Sequence, residues 1–593
     1  MQQGICWYPV TTGRNYYNSL NQFVIELEKR DAPEGEHAFE YGRPVRFFKT
    51  DGQGRPRFFS FASVVSYVQE QKMVVTLPSP SALLEIQGEA DLGIQLYFDE
   101  TSYKSMFAAL KAVMAAKGTR LAELRDICLG NQPAERRKLF PLRFPWLNSS
   151  QEKAVNEVLA AKDVAIVHGP PGTGKTTTLV EAIYETLHRE TQVLVCAQSN
   201  MAVDWISEKL MDRGVNVLRM GNPTRVTDKM LSFTYERRFE AHPDYPELWG
   251  IRKTIRDIQN NLKNRSGSQR ETDRNRLSRL RYRETELTMQ IDRELFEEAR
   301  VVACTLVGAS HRLLEAHHFT TLFIDEAAQA LEAASWIAIQ KTDRIILAGD
   351  HQQLPPTIKC PEAAQAGLSQ TLMQKIATRK LATVSLLTVQ YRMHEAIMGF
   401  PSAWFYDNQL KAAPEVKERG ILALDTPLVW VDTGGCEWAE ETSAEGSSRL
   451  NRKEAEELIL QLQAYIERIG RERILEEHID FGIISPYKAQ VYYLRRLLKR
   501  TPFFKPIRSL LTVHTVDGFQ GQERDVVLIS LVRANETGKI GFLSDLRRMN
   551  VAITRARMKL ILLGDASTLS RHAFYRKLYQ YVEEKGKVIR LAD

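Results

Sequence analysis

The stretch Val164-Ala-Ile-Val-His-Gly-Pro-Pro-Gly-Thr-Gly-Lys-Thr-Thr-Thr178 constrains this chain more than any other. An apolar strand runs into Gly169-x-x-x-x-Gly174-Lys175-Thr176 and then into a helix. Gly172 and Gly174 let the loop bend so that successive backbone N–H groups converge on one anion, and the helix aims its positive dipole end at the same point. Gly172, Thr173, Gly174, Lys175, Thr176 and Thr177 are therefore candidate phosphate-binding residues. Lys175 supplies a mobile charge for outer phosphates, and Thr176 a hydroxyl for a divalent cation.

A strand–loop–helix of this kind belongs in a parallel sheet, and the rest of the chain agrees. After Leu147, strands such as Val193–Cys196, Val301–Ala303, Leu322–Ile324 and Ile345–Leu347 alternate with helical pattern, which specifies a sheet covered on both faces. A second α/β unit begins near 386, with strands at Leu428–Val431, Phe481–Ile484, Leu510–Val513, Val526–Ile529 and Leu560–Leu563. Between about 38 and 98 short strands, broken by Asp51-Gly-Gln-Gly54 and prolines, predict a small β-barrel. Met106, Leu110, Val113 and Met114 then give a helical stripe, read as a stalk that breaks at Lys117-Gly118. Within about 225–300, Ile251, Ile255, Ile258 and Leu262, then Arg265-Ser-Gly-Ser268, then Leu280, Leu287 and Ile291 predict a helical hairpin with an apolar seam. The expected domains are 1–147, barrel and stalk; 148–385, first core with the insertion; and 386–593, second core.

At 593 residues the chain exceeds what one core supports. Lys+Arg 80 against Asp+Glu 73 leaves a formal charge of +7, which leans towards a polyanionic partner. The six cysteines lie far apart, supporting neither a zinc module nor a disulfide framework. No run approaches membrane-spanning length and no secretory leader is recognisable, so a cytoplasmic protein with no membrane partner is expected.

Thr321-Leu-Phe-Ile-Asp-Glu-Ala-Ala-Gln-Ala330 puts two acids at the carboxyl end of a strand, where such sheets bind ligands. Asp325 is suited to hold the hydration shell of Mg²⁺, and Glu326 to take a proton from an attacking water. The next strand ends in Leu347-Ala-Gly-Asp-His-Gln-Gln-Leu-Pro-Pro356, where Gln353 is a candidate γ-phosphate sensor.

Taken in order, Gly169–Thr176, Ser199-Asn-Met-Ala-Val-Asp204, Asp325-Glu-Ala-Ala-Gln329, Gly349-Asp-His-Gln-Gln-Leu-Pro355, Gln390-Tyr-Arg-Met-His394, Val516-Asp-Gly-Phe-Gln-Gly-Gln-Glu523 and Asn550-Val-Ala-Ile-Thr-Arg-Ala-Arg557 resemble the motif series of superfamily 1 helicases, in the up-frameshift-like (5′-to-3′, DNA2/NAM7-type) branch. The resemblance implies two RecA-like P-loop NTPase domains, ATP and Mg²⁺ as cofactors, and movement along single-stranded RNA or DNA. It makes Gln151 an adenine reader, Tyr391 a stacking surface for the base, and Glu523 a partner for the nucleotide sugar or the coupling machinery. Gln151 alternatively completes a capping box with Asn148, and Tyr391 is alternatively a half-buried core residue. Arg392 and Arg555 resemble arginine fingers, whose planar guanidinium neutralises charge on the transferring phosphoryl group. Ser199 and Asn200 resemble a motif that holds the phosphates of the strand, and Arg265, Arg270, Arg274, Arg276, Arg279, Arg281 and Arg283 make the hairpin basic.

Two positions depart from the family pattern: Gln198 and Glu395 stand where relatives commonly have proline. No Cys/His-rich module of the decay helicases is recognisable, so mRNA surveillance is not implied. The expectation is a monomeric ATP-dependent 5′-to-3′ helicase or translocase. An ATP-regulated nucleoprotein clamp and a nonenzymatic scaffold are the alternatives.

Overall fold

The computed structural model describes residues 5–17, 23–30, 39, 42–51, 55–68, 71–89, 91–97, 101–221, 226–261, 267–358, 360–443 and 448–592. The expected turn at 52–54, Leu262 and Arg265 lie outside them, as does the side chain of Arg270. Met1–Ala112 and Leu218–Glu298 form one compact unit; Val113–Val217 and Ala299–Asp593 form the other. This division groups the insertion with the amino-terminal sheet and keeps both α/β bodies in one unit.

In the first unit, seven strands make one sheet whose outer members are Cys6–Trp7 and Val10–Tyr17. Those two edges are separated in sequence by Tyr8-Pro9 alone, so the sheet has to curl. Every pairing in it is antiparallel, as between Pro44–Thr50 and Pro56–Val68. Alternate residues such as Ile25 and Leu27, Val45 and Phe47, and Met73 and Val75 fill one core, the period of two that a half-buried strand demands.

The insertion carries the helices Tyr245–Asn261 and Gly267–Glu298. Glu247 pairs with Arg283 at 3.0 Å and Arg252 with Glu284 at 3.0 Å, while Asp244 meets Gln290 and His242 meets Glu294, a register that runs antiparallel. Phe239, Leu248, Leu287, Ile291 and Leu295 form its core. Of the seam expected from the spacing, Ile255 is buried and Ile258 half-buried.

The stretch read as a stalk is two helices, Thr101–Ala115 and Arg120–Leu129, the second N-capped by Thr119. Met106 and Val113 are buried as the stripe predicts, but Met114 is 77% exposed.

In both sheets of the second unit the paired strands run parallel. In the first, Val301–Thr305, Val193–Ala197, Phe319–Asp325, Thr342–Gly349, Val164–His168 and Val384–Leu386 follow one another across the sheet. The second runs Leu511–Thr515, Phe481–Ser485, Arg524–Ser530, Ala556–Gly564, Leu428–Asp432, Lys587–Arg590. Its strands are apolar at consecutive positions because each face has its own core. Val527 and Ile529 enter one cluster with Trp430, while Val526 and Leu528 enter the other. The buried Trp430 donates its indole N–H to Gly564 O at 3.1 Å, so truncating it to alanine costs about 3–5 kcal/mol. The short strands Val384–Leu386 and Lys587–Arg590 escape the sequence reading, being too brief for a periodic signal.

Candidate nucleotide site

The phosphate loop joins the fully buried strand Val164–His168 to the helix Lys175–Leu187. Gly172 (φ 75°) and Gly174 (φ 73°) take the left-handed conformation that only glycine adopts without strain. A β-carbon at Gly172 would lie 2.6 Å from Arg392 Cβ, and one at Gly174 2.6 Å from Gln151 Nε2. The loop is thus a cradle whose bareness is needed on both sides. Thr173 is buried with its hydroxyl on Pro170 O, Thr176 is half-buried and Thr177 is exposed.

Lys175 Nζ lies 2.6 Å from Glu326 Oε1 and 3.2 Å from Asp325 Oδ1. Burial alone would lower the Lys175 ammonium, but these two carboxylates outweigh it and hold it above the ordinary lysine range. Burial raises the Asp325 carboxyl although Lys175 stands beside it. Glu326 sits at φ 51°, a costly conformation for a residue with a β-carbon, and its second oxygen accepts from Gln329 Nε2 at 2.9 Å. The acid pair and the loop lysine, more than 100 residues apart in sequence, therefore meet as the motif spacing predicts.

Gln151 is buried, and its helix Ser149–Ala160 begins with a complete capping box: Asn148 Oδ1 accepts from Gln151 N, and Gln151 Oε1 accepts from Asn148 N. Gln151 Nε2 also donates to Thr173 O at 3.1 Å, tying the helix start to the loop. The structural alternative for Gln151 is thereby realised, with one amide hydrogen left over. Tyr391 is 40% exposed, its hydroxyl accepting from Asn148 Nδ2 at 2.9 Å and its backbone N–H donating to Gly172 O. It stands at the rim of the cradle rather than in a core.

Two arginines from the second α/β body reach the same place. Arg392 pairs with Glu523, whose other oxygen takes Arg557 Nη2 at 2.8 Å. Burial opposes ionisation of Glu523, but Arg392 and Arg557 hold its carboxyl below the usual range. Arg555 is buried and is held by neutral acceptors: Val551 O at 2.9 Å, Gln522 O at 3.0 Å, Thr554 Oγ1 at 3.3 Å and Gln353 Oε1 at 3.4 Å. Burial, with Arg392 nearby, pushes it down to about 9. A buried cation without a paired carboxylate is expensive, and an incoming anion relieves the cost.

Sequence reasoning passed over the group that links these elements. Asp350 is buried and accepts from His168 Nε2 (2.9 Å), Gln352 N (3.0 Å), Gln353 Nε2 (2.7 Å) and Tyr406 OH (2.7 Å). The Tyr406 oxygen in turn accepts from Asn550 Nδ2 at 2.8 Å. Asp350 and Asn550 lie inside the recognised runs; nothing in the local pattern singles out His168 or Tyr406.

Ser199 caps the helix Asn200–Asp212 through Ala202 N, and that helix exposes Met201 and Trp205. Glu395 opens the helix Glu395–Phe405, a position that tolerates proline because its N–H has no partner within the helix; glutamate there keeps the same path. On the hairpin, Arg274, Arg276, Arg279 and Arg281 are exposed, whereas Arg283 is engaged by Glu247 and Glu286.

Two matches to the AAA domain, over residues 146–361 and 368–567, cover the two α/β bodies and identify them as P-loop NTPase domains. An uncharacterized ATP-dependent helicase of Methanocaldococcus jannaschii is 32% identical over 84% of this chain and 80% of that protein. DNA-binding protein SMUBP-2 of Mesocricetus auratus is 36% identical over 83% of this chain and 50% of that protein. A regulator of nonsense transcripts 1 homolog of Arabidopsis thaliana is 32% identical over 93% of this chain and 44% of that protein. The chain belongs to the superfamily 1-like helicase family, in the branch that holds the up-frameshift and DNA2 proteins. It spans about half the length of SMUBP-2.

Proposed function

We propose that the chain is an ATP-dependent 5′-to-3′ helicase or translocase on single-stranded RNA or DNA, with ATP·Mg²⁺ held between two RecA-like domains, 148–385 and 386–593. The observation that carries this reading is Arg555, a buried guanidinium whose hydrogen bonds among the described residues all go to neutral acceptors, facing the sensor Gln353 beside the phosphate cradle. Such a cation is prepared for an anion that arrives with the substrate.

In this reading the loop amides of Gly172 to Thr177 and Lys175 bind the phosphates, while Gln151 and Tyr391 receive the base. Thr176 and Asp325 would hold the magnesium, which would neutralise charge on the phosphate oxygens. When Lys175 turns to phosphate, it releases Glu326 Oε1, which is then open to accept a proton from the attacking water. Arg392 leaves Glu523 for the transferring group in the same way, and Arg555 completes the neutralisation. Ser199, Asn200 and the exposed hairpin residues Arg274, Arg276, Arg279 and Arg281 would hold strand phosphates, contacts without sequence preference. We further assign 1–147 as a barrel-and-stalk accessory region, and read the protein as monomeric and cytoplasmic.

The test is ATP turnover with matched RNA and DNA oligonucleotides, followed by strand displacement on duplexes with a 5′ or a 3′ tail. Turnover stimulated by a single strand together with displacement from the 5′ tail is the expected result. Stimulated turnover without displacement would instead favour the clamp, and no turnover the scaffold.

A further inference from the structure

The Asp350 carboxylate has four donors for its four lone-pair sites, drawn from three separate segments and from both α/β bodies. One consequence is chemical rather than steric. Because Gln353 gives Nε2 to Asp350, its Oε1 is the atom left to face Arg555 Nη2; the flipped amide would set oxygen against carboxylate and N–H against guanidinium. A second consequence follows from Tyr406, the residue that ends the helix Glu395–Phe405. Its hydroxyl donates to Asp350 and accepts from Asn550, on the helix Leu546–Ile553 that leads into Arg555. Asn550 Nδ2 also donates to Gln352 O at 2.9 Å, closing a ring of contacts around the sensor. The chain Gln353–Asp350–Tyr406–Asn550 thus spans the two bodies, and all four members are buried or half-buried. His351 packs its ring 4.6 Å from that of His168, which shields the Asp350 side of the chain.

We propose that Tyr406 is a positioning residue which, through Asp350 and Asn550, fixes the amide of Gln353 to the helix that delivers Arg555, so that sensor and finger are set together. The proposal rests on the functional reading above. Without the hydroxyl, Asp350 keeps three donors, and the register of Gln353 against the second body rests only on Asn550 with Gln352 O and on its own 3.4 Å contact with Arg555. The nucleotide would still bind, because the cradle lies elsewhere, but the finger and sensor would align only part of the time.

The experiment compares Tyr406→Phe, Asp350→Asn and the double variant with Tyr575→Phe, which removes an equally buried hydroxyl whose 2.7 Å bond to Leu543 O lies outside this chain of contacts. Turnover with saturating single strand, affinity for a non-hydrolysable ATP analogue and melting temperature are measured for each. Tyr406→Phe should lower kcat about tenfold while analogue affinity stays within about threefold and melting matches Tyr575→Phe. The double variant should be no slower than Asp350→Asn, since residues acting as one unit are not additive. Retained kcat in Tyr406→Phe, or losses that multiply in the double variant, would overturn the proposal while wild-type turnover leaves the functional reading standing. A wild-type protein without turnover overturns both.

Discussion

Glu454 is completely buried one turn into the helix Arg452–Ile469, where Asn451 caps its backbone N–H. Its Oε1 accepts from Ser530 Oγ at 2.6 Å and Val532 N at 2.9 Å, but its Oε2 has no hydrogen-bond partner among the described residues. Burial raises the carboxyl from 4.5 to about 7 against the pull of those hydrogen bonds, and Asp565 pushes the same way. Between pH 4.5 and about 7 the folded protein therefore keeps a proton that the unfolded chain releases, and stability falls as pH rises through that window. The loss amounts to about 3 kcal/mol above it. Glu454→Gln has the same size, keeps both bonds to the carbonyl oxygen and carries no charge at any pH. Its Nε2 stands where Oε2 had no partner, at a cost of about 1 kcal/mol. The variant should then be about 2 kcal/mol more stable than wild type at pH 8, about equal to it at pH 5 and about 1 kcal/mol less stable at pH 4. For a body of this size, a melting temperature higher by about 4–8 °C at pH 8 and lower by about 2–4 °C at pH 4 is expected. Melting both proteins across about pH 4 to 8 reads the crossing directly. A difference that does not change with pH would show that Glu454 is ionised throughout, and the argument would fail.

Other expectations address the candidate site. Glu326→Gln keeps shape but removes the base, so turnover should fall by at least about 10²-fold with ATP still bound; loss of ATP affinity would make Glu326 structural. Lys175→Ala removes the loop's cation and should abolish strand-stimulated turnover, which robust activity would contradict. Arg555→Lys keeps charge but loses the planar fork that meets Val551 O, Gln522 O and Gln353 together, so kcat should drop far more than nucleotide affinity. Changing Arg274, Arg276, Arg279 and Arg281 to glutamine should flatten the salt dependence of single-strand binding by about 2 in slope if about three touch phosphate. Parallel lines across the salt series would mean they are only solvated.

The sequence made legible whatever is local or strictly ordered. The phosphate loop follows from eight consecutive residues, and Asp325-Glu326 from an apolar strand that ends in acids; Lys175 indeed lies within 3.2 Å of both. The two parallel sheets were readable because consecutive apolar positions need two covered faces. Asp350 was passed over because its meaning depends on His168, Tyr406 and Asn550, which only packing brings together. Gln151 shows a different limit: one side chain satisfies both a capping box and the loop carbonyl of Thr173, and no spacing rule ranks such uses. Met114 was misassigned to the buried stripe because the buried face runs through Met106, Ala109 and Val113, and one further residue turns about 100° away from it.

The two sides of the insertion meet at Asn216 and Arg300, where a single carbonyl, Asn216 O, accepts the N–H groups of both Arg300 and Val301 at 2.9 and 3.1 Å. Its ends are therefore adjacent, and the entropy of closing so long a loop grows only with the logarithm of its length. Relative to a turn of a few residues, roughly 80 residues add about 2–3 kcal/mol, a cost the sheet bears whether or not the insertion is folded. With its own core around Leu248 and Ile291, the insertion can order separately. Strand pairing of Val193–Ala197 with Val301–Thr305 thus need not wait for it, and a chain emerging during synthesis can complete the two events in either sequence.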